Sequence, residues 1–139
     1  MIRPGLTLAL WLALAILLIA SNAIGDTWIA ANLSARTVEW FKVLVPLPYV
    51  VLLAAIHARR TKGPRWRDAA LLAALLWPTS TAILDFLYER VTFGNDTAAF
   101  LARLDVQWGA PYPLLLLMLF VAPIVTGFIV SRSSSQMAN

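Results

Sequence analysis

The sequence predicts an all-α membrane protein, a four-transmembrane-helix bundle with Pro-kinked helices and short interfacial segments on its outer side. Three observations carry that prediction. Of 139 residues, 60% are hydrophobic and only 13% are charged, against about 25% charged in an ordinary soluble domain. The apolar residues gather in four runs, 6–24, 43–57, 69–88 and 112–130, close to the ~20 residues that cross ~30 Å of hydrocarbon as a helix. The Lys and Arg residues fall unequally between the segments that join these runs. One membrane domain accounts for the chain, with a disordered tail over 131–139.

The first run, behind Arg3, is a Leu/Ala segment. With Ser21-Asn22-Ala23 at its end it also resembles a secretory signal and cleavage site, but it is longer than a usual signal core, so a retained span is expected. Thr7, Trp11, Ala15, Leu18, Asn22 and Asp26 step by three and four along it and share one face, read as a packing seam with a polar outer cap. In the following connection Trp28, Ile29, Leu33, Thr37, Trp40 and Phe41 approximate a helical stripe, suited to headgroup level where Trp is favoured.

The second run is the shortest and is expected to extend outward through Trp40 and Phe41. Pro46-Leu47-Pro48 disturbs its outer end, because Pro removes a backbone donor and crowds the preceding turn. Lys42, Pro46, Tyr49, Leu53 and His57 again step by three and four, which puts His57 at the inner end as an interfacial residue. The loop over 58–68 is short and basic, with Gly63-Pro64 as its turn signal; Arg59, Arg60, Lys62, Arg65 and Arg67 are the candidate contacts to anionic lipid headgroups, at ~1 kcal/mol per basic residue near the surface.

The third run carries Ala69, Ala70, Ala73 and Ala74, small residues at a spacing that lets another helix approach closely. Farther along lie Pro78, a polar patch at Thr79, Ser80 and Thr81, and Asp85, with Tyr88 and Glu89 beyond. Asp85 is the one full charge inside a long apolar run. Such a group costs roughly 2.5 kcal/mol or more at mid-bilayer and faces a partner or water in preference to lipid. The candidate outer polar pocket is therefore Asn22, Asp26, Lys42, Tyr49, Thr81 and Asp85, with Lys42 the expected cation for Asp85 and Arg90 second. The next connection holds Asn95-Asp96-Thr97, good N-cap residues, ahead of a short helix whose apolar face is Phe100, Leu101, Leu104 and Trp108, with Arg103 and Asp105 pointing away. The last run is Leu-rich, softened by Pro123, Thr126 and Gly127.

Orientation follows from the basic residues. Arg3, Arg59, Arg60, Lys62, Arg65, Arg67 and Arg132 lie on the side of both termini, against Arg36, Lys42, Arg90 and Arg103 on the other. Both termini are thus expected in the cytoplasm.

Residues 68–95, an apolar run with Pro78, then Leu84-Asp85, aromatics and an acidic boundary, resemble a family of uncharacterised small four-helix bacterial membrane proteins. The resemblance implies a four-span architecture in the bacterial inner membrane and brings no catalytic residues. The essential Glu in the first span of small multidrug exporters has no counterpart here, nor do the paired Cys of a quinone-linked thiol reductase.

Zero Cys and one His remove disulfides, thiolate metal sites, thiol nucleophiles and bis-histidine haem. No metal, cofactor or catalytic residue is assigned. The net charge of +4 sits beside apolar segments, so nucleic acid is not an expected partner; the bilayer, its anionic headgroups on the cytoplasmic side, and a second copy or larger membrane complex are. The leading functional expectation is a non-enzymatic accessory subunit or a binder of lipid or small molecules. The alternative is a homo-oligomeric transporter of a small solute or ion using Asp85, and after it a membrane enzyme built on a carboxylate pair, Asp26 with Asp85.

Overall fold

Pro at the first helical position lacks only a donor that a helix start leaves unpaired, and Pro4 opens α1 (Pro4–Ile24). This is a computed structural model; it describes residues 2–105 and 109–137, is 85% helical, and holds no strand among the described residues. Past Ile24 the chain widens into a π-helical turn, Gly25–Ile29, and closes in α2 (Ala30–Asn32). Ser34 then caps α3 (Ala35–Leu44), its hydroxyl accepting from the Thr37 amide at 3.3 Å. A single turn at Val45-Pro46 separates α3 from α4 (Leu47–Arg60). The long α5 (Trp66–Phe93) contains Pro78. Asp96 caps α6 (Thr97–Ala102) by accepting from the Ala99 amide at 2.9 Å, and α7 (Tyr112–Met137) contains Pro123. Trp108, the last residue of the face read for the short helix, lies outside the described residues.

Four stretches, Pro4–Asn32, Ala35–Arg60, Trp66–Phe93 and Tyr112–Met137, are long and apolar enough to cross a membrane. Each exceeds the run read from hydropathy, because polar residues continue a helix once its backbone is paired. The end of α7 is the plainest case. The tail expected to be disordered from residue 131 is helical to Met137, where the Ser133, Ser134 and Ser135 hydroxyls donate to the carbonyls of Ile129, Val130 and Ser131.

The helices form a ring in which α7 packs on α5 and α4, and α1 closes against the same two. Lipid tails are as apolar as Leu, so close packing and hydrogen bonds must hold such a ring together. The α5–α7 contact is the tightest. Ala69, Ala70, Ala73 and Ala74 of α5 are buried, and a Cβ placed on Gly127 of α7 would stand 3.4 Å from the Ala70 methyl and 3.0 Å from the Trp66 ring. Leu14, Leu18, Val43, Val50, Trp77 and Leu119 fill the centre, while Leu12, Ile16, Leu75 and Leu117 face outward.

The ring has two unlike ends. The basic end carries Arg59, Arg60, Lys62, Arg65 and Arg67, all exposed, with Arg65 paired to Asp68 at 3.1 Å. His57 faces inward here, contrary to the expectation of an interfacial residue. It is buried, its Nε2 is 2.8 Å from the Thr7 hydroxyl, and its ring meets Trp77 edge-on at 5.6 Å. The opposite end, where α1 ends and α3 begins, collects carboxylates.

Candidate functional site

Two helices running the same way set the frame of the site. The face of α1 that holds Thr7, Trp11 and Asn22, continued by Asp26 in the π-turn, lies against the face of α5 that holds Trp77, Thr81, Asp85 and Tyr88. Each pair is joined by a hydrogen bond. The Trp77 indole donates to the Thr7 carbonyl at 3.1 Å and the Trp11 indole to the Thr81 hydroxyl at 3.2 Å. Asn22 donates its amide to Asp85 Oδ1 at 3.2 Å, and the Tyr88 hydroxyl donates to Asp26 Oδ2 at 3.0 Å. The seam on α1 is thus polar at intervals along its length, not only at its cap, because α5 repeats hydrogen-bonding groups at the same helical period.

At the carboxylate end this stripe widens into an ionic cluster. Lys42 is 3% exposed; its ammonium is 2.9 Å from Asp26 Oδ1, 3.8 Å from Glu89 and 4.0 Å from Glu39. Gly25 makes room for it, since a Cβ there would stand 3.2 Å from Lys42 Cγ and 3.1 Å from the Phe41 ring. Arg103 reaches in from the residue after α6, donating to Glu39 at 3.1 Å and to Glu89 at 3.2 Å. Its guanidinium also lies 4.3 Å from the centre of the Tyr112 ring, a cation–π arrangement. Asn95 donates to the second oxygen of Glu89 at 2.6 Å. Burial would pull the Arg103 pKa down, but Glu39, then Asp85 and Glu89, outweigh it and raise it above the ordinary value, so this guanidinium stays charged.

Asp85 stands at the inner edge of the cluster, 3% exposed. Its partners are neutral: Asn22 on Oδ1 and the Tyr112 hydroxyl on Oδ2 at 2.6 Å. The expected Lys42–Asp85 pair is therefore corrected. Lys42 goes to Asp26, because the helix running on from α1 through its π-turn carries Asp26 to the same level as Lys42, while Tyr112 at the start of α7 occupies the space beside Asp85. Arg90 is exposed and takes no part.

Of the residues read as a polar pocket, Asn22, Asp26, Lys42 and Asp85 converge. Thr81 is fully buried one turn away and bonds Trp11. Tyr49 is 37% exposed on the outer surface, since the buried seam of α4 steps from Pro46 to Val50 and leaves Tyr49 off the face. Sequence reasoning passed over Tyr112, Arg103, Glu39 and Asn95. Glu39 stands three residues before Lys42, and Tyr88 and Glu89 stand three and four after Asp85, so helical spacing places these three beside residues already chosen. Nothing local signals Arg103 or Tyr112, which arrive from the far end of a loop.

Asp26, Glu39 and Glu89 share two cations, Lys42 and Arg103, and Asp85 lies beside them on neutral donors. Each oxygen of Asp26 and of Asp85 is taken by a separate donor, which is not the geometry of a proton-sharing aspartyl pair. Among the described residues no three His, Asp or Glu side chains are placed to hold a metal ion. No protein-family model, curated protein or solved structure matches the chain.

Proposed function

We propose that this chain is a non-enzymatic multi-pass protein of a bacterial inner membrane, an accessory subunit or a lipid or small-molecule binder, with both termini cytoplasmic. The observation that carries this reading is closure. Asp26, Asp85 and Glu89 each have both carboxylate oxygens held by side chains of this same chain, a satisfied polar network of the kind that fixes helices against one another. The polar stripe between α1 and α5 is likewise bridged by two indoles, Trp77 and Trp11, which donate a hydrogen bond and accept none.

The seven-to-four division of basic residues supports the orientation, and reporters active on one side of the membrane, fused to each end, test it: an external signal from either terminus refutes it. The exposed Arg59, Arg60, Lys62, Arg65 and Arg67 suit anionic headgroups on the cytoplasmic side. Pro46, Pro78 and Pro123 are read as bends, and the connection over 25–42 and the short helix after Asn95-Asp96-Thr97 as segments at the outer headgroup level, where the exposed Trp28 belongs. The resemblance of residues 68–95 to small four-helix bacterial membrane proteins favours the bacterial setting, and a second copy or a larger membrane complex is the expected partner.

Copurification in a mild detergent tests the functional reading. A partner protein or a stoichiometric lipid should stay with the chain; a chain that runs alone and lipid-free removes its basis. The excess of carboxylates over cations favours a second reading, transport of a cation or small solute by a homo-oligomer through Asp85. Flux into proteoliposomes that is equal for the unaltered chain and Asp85→Asn takes Asp85 out of any such mechanism.

A further inference from the structure

We propose that the groove between α3 and the start of α7 binds a phospholipid whose headgroup carries both a phosphate and a primary ammonium. The inference rests on the membrane reading above and deepens its lipid-binding branch.

Two adjoining hollows form the groove. The upper one, about 360 Å³, is lined by Arg36, Glu39 and Arg103 over Ala110 and Pro111. The lower one, about 400 Å³, shares Ala110 and Pro111 and continues down over Trp40, Pro113, Leu114 and Leu117, with no charged residue in its lining. A charged basin thus opens directly into an apolar trough along the helix axis. That is the shape of an amphiphile lying parallel to the bundle, head at the carboxylate end and chain against Leu114 and Leu117. Trp40, 39% exposed, stands where the two meet, as an aromatic does at the headgroup boundary.

The lining also selects the head. Arg36, which also donates to the Gly109 carbonyl, and Arg103, bonded to Glu39 and Glu89, line the upper hollow, and the planar donors of a guanidinium match phosphate oxygens. Glu39 is the complementary feature: it is 29% exposed while one of its oxygens holds Arg103 at 3.1 Å. A primary ammonium brings three N–H donors to that carboxylate; a quaternary ammonium brings none. Counted with Arg36, three cations face the four carboxylates Asp26, Glu39, Asp85 and Glu89, so a head with phosphate alone would add a second uncompensated negative charge. The zwitterion with N–H donors answers both signs.

The test uses the full chain in mild detergent, mixed with equal amounts of dioleoyl phosphatidylethanolamine, phosphatidylcholine and phosphatidylglycerol, with retained lipid counted by native mass spectrometry. Phosphatidylethanolamine should be held about tenfold over either competitor, the difference that one charge-assisted hydrogen bond makes. Glu39→Gln should bring it down to the level of phosphatidylcholine. Equal retention of the two by the unaltered chain, or an unchanged preference in Glu39→Gln, overturns the proposal. Should Glu39→Gln fail to fold through loss of its bond to Arg103, Leu117→Trp decides, since it fills the trough without touching an ion; undiminished phosphatidylethanolamine retention by that variant also overturns the proposal. Release of the unaltered chain from its membrane by alkaline carbonate would sink the membrane reading itself. A chain that stays in the membrane but shows no headgroup preference sinks this inference alone.

Discussion

Replacing Lys42 by Met keeps the length and the apolar stem of the side chain and removes only the charge. The ammonium stands 2.9 Å from Asp26, 3.8 Å from Glu89 and 4.0 Å from Glu39. At an effective dielectric constant near 20 these separations correspond to roughly 6, 4 and 4 kcal/mol of Coulomb attraction, before the cost of desolvating the charges is set against them. What remains measurable is the penalty of stranding buried carboxylates, about 3–5 kcal/mol when one partner of a buried pair is removed. For a chain of this size that lowers the thermal midpoint by on the order of 10 °C, read in detergent by intrinsic fluorescence. A double-mutant cycle then identifies the partner. Lys42→Met with Asp26→Asn should fall well short of additive, because the second change removes a charge that the first one strands. Lys42→Met with Asp85→Asn should come closer to additive, as Asp85 is held by Asn22 and Tyr112. A loss below about 1 kcal/mol for Lys42→Met, far under the stranded-charge penalty, or full additivity with Asp26→Asn, would refute the reasoning.

Tyr112→Phe takes the hydroxyl from Asp85 Oδ2 but keeps the ring against Arg103 and Phe100; it should cost about 1–3 kcal/mol for an unsatisfied buried acceptor, and Asp85→Leu added to it should recover part of that in the same melts. Gly127→Val pushes a branched side chain into the Trp66 ring and the Ala70 methyl, so a loss of about 1–3 kcal/mol from overpacking is expected, while Thr126→Val, which gives up the one hydroxyl donor shared between the Ala122 and Ala54 carbonyls, should cost about 1 kcal/mol. Thr7→Val leaves the His57 Nε2 without its neighbour at 2.8 Å; a midpoint unchanged by that substitution would show that the buried His finds another partner.

The helices were legible because hydropathy and helix length are local quantities. Apolar runs near 20 residues long satisfy their backbones in lipid as helices, and Asn95-Asp96-Thr97 offered N-cap residues whose chemistry depends on a few neighbours. The seam Thr7, Trp11, Asn22, Asp26 and the stripe Thr81, Asp85, Tyr88, Glu89 were each visible as a period of three and four along one helix. What periodicity does not contain is the phase between two helices. Asp26 and Asp85 compete for Lys42, and the outcome turns on how far the chain of α1 climbs past Ile24 before it reverses. That height is set by the π-turn at Gly25–Ile29 and by Gly25, where a Cβ would stand 3.2 Å from Lys42 Cγ, neither of which a hydropathy pattern records. Tyr49 failed for a smaller reason of the same kind: steps of three and of four from Pro46 are both helical, and only packing chooses Val50. Arg103 and Tyr112 lie beyond the end of α5, so their arrival at Glu39, Glu89 and Asp85 depends on a loop closure across tens of residues. Once that closure is made the ionic cluster locks it, since withdrawing Arg103 would take from Glu39 and Glu89 the guanidinium that bonds both, at 3.1 and 3.2 Å.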